Sequence, residues 1–142
     1  MSRRFVTLLF LLGILMPAIA GGGDPRIAVI VHRDRHDALD MATVARIFLR
    51  QRRFWEDGSP VLPVNREAGS ALREQFSQRV LGAPSEQLAS YWNAQYFHGV
   101  PPPATLSSSQ SIRRFVASER DAIGYVESEA ADDTVRIALV LE

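Results

Sequence analysis

Residues 64–76 read VNREAGSALREQF, from Val64 to Phe76. A short apolar run, residues 61–64, gives way to Asn65 and Arg66 and then to Gly69 and Ser70. A helical period begins at once, with Leu72, Phe76 and Val80 recurring every four residues until Gly82 stops it. This is the succession of strand, tight loop and helix, and it decides how the rest of the chain is read.

Upstream, residues 26–31 (RIAVIV) form a continuous β-branched run, the pattern of a strand covered on both faces. Asp40 is placed to cap a helix reaching about Arg50, with Met41, Val44, Ile47 and Phe48 on one stripe. Residues 56–60 (EDGSP) read as a turn, and residues 61–64 (VLPV) as a short strand that Pro63 sets at an edge or a bend. Downstream of the opening helix, Ser85 is expected to cap another that carries Leu88, Tyr91, Trp92 and Tyr96. The three prolines of residues 98–109 (HGVPPPATLSSS) predict an extended loop without regular structure. Ser109 or Ser111 then starts a helix with Ile112, Phe115 and Val116 inward, and strands follow at residues 122–126 (AIGYV) and 134–141 (TVRIALVL). Strands alternating with helices predict an α/β fold, a mainly parallel sheet flanked by helices. Ligands in such folds sit beyond the carboxyl ends of the strands, and the loop after Val64 lies at such a place.

A length of 142 residues, 46% hydrophobic and 23% charged, suits one domain. Its first twenty residues stand apart: Arg3 and Arg4, then an uncharged run ending in Ala18-Ile19-Ala20 before three glycines. That pattern predicts a secretory signal peptide over residues 1–20, its apolar core shorter than the ~20 residues of a membrane span. The domain is then residues 21–142, exported to the periplasm. There is no cysteine, hence no disulfide, no catalytic thiol and no lipoprotein anchor. The chain has 16 basic and 16 acidic residues; removing Arg3 and Arg4 leaves 14 against 16, a net charge of −2 that suggests no nucleic-acid surface.

The loop itself supports two readings. The amides of Gly69, Ser70 and Ala71 are first-turn donors that, with the helix dipole, favour an anion by roughly 0.3–1 kcal/mol. Gly69 permits a positive φ, Ser70 adds a hydroxyl, Arg66 offers a planar fork and Arg73 a second charge. Alternatively Ser70 is only a cap and Gly69 only a turn residue, with Glu67 or Glu74 pairing Arg66.

Three patches between Asp40 and Val126 together resemble the phosphate-binding proteins of ABC transporters and their small single-domain relatives in the type 2 periplasmic-binding superfamily. They are VARIFLRQRRFWEDGSPVLPVNR (44–66), REAGSALREQF (66–76) and FVASERDAIGYVE (115–127). The resemblance implies one lobe of a two-lobed clamp, entered by a hinge strand such as residues 26–31. It matches Arg66 to the phosphate arginine, Gly69 to the loop glycine and Ser70 to its serine. Ala68, Ala71 and Leu72 depart from the family's Asp, second Gly and Thr. Four charge-assisted hydrogen bonds at ~1.5–3 kcal/mol each, against an association cost of ~4–15 kcal/mol, leave millimolar binding at best for a lone lobe.

Other constellations carry less. His32, Asp34, His36 and Asp37 offer metal-ligand types, but no helical spacing aims the two imidazoles at one ion, and they read as a solvated loop beside the anion site. The serines of residues 107–111 lack a nucleophile elbow, and His98 lacks an acidic orienter. Trp55, Tyr91, Trp92, Tyr96 and Phe97 are expected in the core. The expectation is therefore an exported, non-enzymatic domain without cofactor or metal, binding inorganic phosphate or a similar oxyanion weakly through Arg66, Gly69, Ser70, Ala71 and Arg73. The competing expectation is a protein-interaction module docking a membrane sensor or transporter subunit.

Overall fold

The structure, a computed structural model, describes residues 23–142. The expected signal peptide lies outside the described residues. Among the described residues, five strands form one sheet: β1 (Ile27–His32), β2 (Leu62–Arg66), β3 (Ala104–Leu106), β4 (Ala122–Glu127) and β5 (Val135–Leu141), in the order β3-β2-β4-β1-β5. The α-helices of the described residues flank it: α1 (Met41–Phe48), α2 (Ala71–Phe76), α3 (Ala89–Phe97) and α4 (Ser109–Ser118).

The α/β architecture is as the sequence predicts, and the pairing refines it. β2 is parallel to β3 and β4, whereas β1 runs antiparallel to both β4 and β5. The sheet is mixed because the one reversed strand, β1, is inserted between two that run the other way. β1 is wholly buried from Ile27 to Val31 and feeds both faces. Val29 and Val31 meet Val44, Ile47 and Phe48 of α1 and Leu72 and Phe76 of α2. Ala28 and Ile30 meet Ile112 and Val116 of α4. There α4 crosses so close to β4 that a Cβ on Gly124 would lie 2.5 Å from Ile112 Cγ2.

Local signals hold where they are strong. Asp40 caps α1, accepting from the Thr43 amide at 2.7 Å, though α1 ends at Phe48 before Arg50 turns to φ 61°. α2 continues through a π-helical turn, Ser77–Leu81, to Gly82 at φ 77°. Elsewhere tertiary context prevails. Ser85 caps nothing: it opens a 3₁₀ turn, and its amide donates to Glu74 at 3.3 Å. The proline loop contributes β3, which gains its partner only by pairing with β2. Tyr96 and Phe97, expected in the core, are 71% and 86% exposed because α3 has no buried face. Met41 and Phe115 are likewise exposed, while Trp55 is buried as expected.

Candidate anion-binding site

The reversal of β1 separates two loops that the sequence places together. Val31, near the end of β1, lies opposite Ile123 at the start of β4, whereas Ile27 lies opposite Glu127. The loop of His32 to Asp37 is therefore at the opposite end of the sheet from Arg66, not beside the anion site. Nor is it simply solvated. Arg35 has a side chain only 2% exposed, paired to Asp121 at 2.8 Å and Asp37 at 3.1 Å, with its guanidinium 4.2 Å above the Trp55 ring.

At the Arg66 end, the carboxyl ends of β2 and β4 meet the start of α4. The Arg66 amide donates to Asn65 Oδ1 at 3.1 Å and to the Tyr125 hydroxyl at 3.4 Å, and that hydroxyl donates to Asn65 Oδ1. Tyr125 is buried and stacked on Phe76 with ring centroids 3.9 Å apart, so the aromatic core braces the strand end. Burial pushes the Tyr125 phenol well above its ordinary value of 10.0.

Ser70 is the N-cap of α2, accepting from the Arg73 amide at 3.3 Å, and Gly69 has φ 86°. The Ala71 and Leu72 amides find no partner among the described residues, as expected of a first turn. Arg73 Nη1 donates to the Arg66 carbonyl at 3.0 Å, which draws both arginines to one loop. Beside them runs an open groove of about 510 Å³, lined by Ala68, Gly69, Arg73, Glu74, Pro84, Ser85 and Glu86.

The fork of Arg66 is held within the chain. Glu67 faces it with both oxygens, at 3.1 Å from Nε and 3.3 Å from Nη2. Nη1 donates to Ser109 Oγ at 2.9 Å and lies 3.8 Å from Glu127, which also accepts from Ser109. The Glu67 hydrogen bond raises Arg66 above its ordinary value against an opposing effect of burial, and the same bond lowers Glu67. The sequence reading named Glu67 as a partner for Arg66; it missed Ser109 and Glu127. No local signal could have found them: Glu127 emerges at the same edge as Arg66 because β4 pairs parallel to β2.

Solved structures of similar fold exist. A protein described as a phosphate ABC transporter substrate-binding protein, with bound phosphate, from Clostridium perfringens matches 80% of this chain with a TM-score of 0.63 and 24% identity. An ABC-type phosphate transport receptor from Vibrio cholerae (TM-score 0.60, 16% identity) and PstS from Borrelia burgdorferi (TM-score 0.59, 12% identity) match the same share. The chain has the fold of the phosphate-transport receptors. It spans less than half the length of these structures, 44%, 46% and 47% respectively. No family model matches the sequence, and no curated protein matches it. Among the described residues no helix is long and apolar enough to cross a membrane.

Proposed function

We propose that this chain is an exported, non-enzymatic substrate-binding-like domain that takes inorganic phosphate or a similar oxyanion weakly at the start of α2. The carrying observation is the convergence of Arg66 and Arg73 on a loop whose Gly69 has a positive φ and whose Ala71 and Leu72 amides are free. The Ser70 hydroxyl, which accepts from the Arg73 amide, keeps its own proton to donate to the anion. Support for phosphate as the anion comes from the fold shared with a phosphate-bound structure. Weakness follows from the site's openness and from Glu67 and Glu127, whose charges already offset that of Arg66.

Titrating residues 21–142 with inorganic phosphate by calorimetry and amide chemical shifts tests this. A dissociation constant in the millimolar range is expected, weakened about tenfold or more in Arg66→Ala, the equivalent of one charge-assisted hydrogen bond. Absence of heat and shift changes at about 10 mM phosphate would remove the proposal. The second reading, docking of a sensor or transporter subunit, then takes its place; exposed Tyr96 and Phe97 at the end of α3 favour it.

A further inference from the structure

A second groove, distinct from the Gly69–Ser70 loop, runs along β2 and β3 from Arg50 toward Leu106, the register partner of Arg66. Arg50 follows α1 with φ 61°, a conformation L side chains adopt at a cost and that a glycine would take freely. Its Nε is buried and makes no hydrogen bond, and Nη1 reaches only the Val61 carbonyl, at 3.3 Å. A buried donor without an acceptor is rare enough in a folded chain to call for a reason. Arg50 also lacks a carboxylate within ion-pair distance among the described residues. Its neighbour Arg53 adds positive charge, and burial together with Arg53 lowers the Arg50 pKa from its ordinary value.

Arg50 stands at one end of an apolar groove of about 200 Å³, whose other walls are Leu62, Pro63, Val64, Pro103, Ala104 and Phe115. A smaller hollow of about 60 Å³ continues it along Val64, Ala104, Phe115 and Leu106. Leu62 and Phe115, both large and apolar, remain 39% and 37% exposed on its rim. The positive end and the apolar length define the chemistry of an occupant: a carboxylate on a short aliphatic tail.

We propose that this groove binds a medium-chain aliphatic carboxylate, its head on Arg50 and its tail along Val64, Ala104 and Phe115. The carboxylate pairs with the part of the Arg50 guanidinium that lines the groove and offsets the Arg50–Arg53 charge. The tail covers the rim residues that water now meets.

The test titrates residues 21–142 with octanoate, acetate and octan-1-ol, following amide shifts and the arginine Nε–H resonances. Octanoate is expected to move the Arg50 Nε–H signal and the amides of residues 62–64 and 104–106. Arg50→Gln should weaken it about tenfold or more, the loss of a charge-assisted hydrogen bond. Phe115→Ser, at a rim position, should weaken octanoate binding while leaving acetate binding unchanged. Acetate binding as tightly as octanoate would overturn the proposal, since the groove would then contribute nothing. So would equal octanoate binding in Arg50→Gln or equal binding of octan-1-ol, since the head group would then be irrelevant. The Arg66→Ala variant should bind octanoate unchanged; loss of binding there would place the carboxylate at the phosphate loop and overturn the assignment.

Discussion

Arg35 lies in a place where its side chain is only 2% exposed. It is held by Asp37 and Asp121, by Ser59 Oγ at 3.1 Å, by the Arg120 carbonyl at 3.1 Å, and by the Trp55 ring. Removing one partner of a buried ionic network leaves the other charges uncompensated, and this rather than the net worth of the pairs sets the cost. Arg35→Ala is expected to destabilise by about 3–5 kcal/mol in urea unfolding. A change below about 1 kcal/mol would mean that the arginine is solvated, as the loop composition HRDRHD suggests. The sequence offered no sign of this hub, because apart from Asp37 its partners are Trp55, Ser59 and the residues just before β4, Arg120 and Asp121, far along the chain. Arg66 teaches the same lesson. Its place at a strand end was legible in VNREAG, but Ser109 and Glu127 reach it only once β4 and α4 are stacked beside β2.

The loop before α2 is the element on which the phosphate proposal depends, and it was the most legible part of the chain. Ser70, Gly69 and the four-residue spacing of Leu72, Phe76 and Val80 specify cap, turn and buried stripe through contacts within a few residues. Ser70→Ala should cost about 0.5–2 kcal/mol by removing the acceptor for the Arg73 amide, read as a fall in melting temperature. If phosphate binds at this tip, the same variant also weakens phosphate binding, because a hydroxyl donor is lost. β3 was illegible for the opposite reason. Three residues beside three prolines have no strand signal of their own, and pairing to β2 supplies their order. α3 shows a further limit. Its aromatic residues at helical spacing suggested a core face, yet only half-burial is reached by Tyr91 and Trp92, and none by Tyr96 and Phe97.

Across the whole molecule, the carboxylates Asp40, Asp57, Glu67, Glu74 and Asp132 all have pKa values lowered from the ordinary 3.8 or 4.5. Each is lowered first by a side-chain hydrogen bond, to Thr43, Ser59, Arg66, Gln78 and Thr134 respectively. A group whose folded value is depressed stabilises the fold above its unfolded value, and that contribution disappears as pH falls through the folded one. The melting temperature is therefore expected to hold from pH 7 down to the ordinary carboxylate values of 4.5 and 3.8 and to fall below them. A melting temperature unchanged down to about pH 3 would show that these bonds are no stronger in the folded chain than in water.

By itself the sequence determined the α/β class, the cap and turn at Ser70 and Gly69, and the two-sided burial of β1. Each is written in a few neighbouring residues, through side-chain period, backbone φ preference and capping chemistry. Tertiary structure alone decided the reversed direction of β1, the separation of the His32–Asp37 loop from Arg66, and the hold of Ser109 and Glu127 on the Arg66 fork. Those depend on which strands pair and which ends coincide. Pairing is settled by the joint burial of distant segments, about which no local pattern carries information.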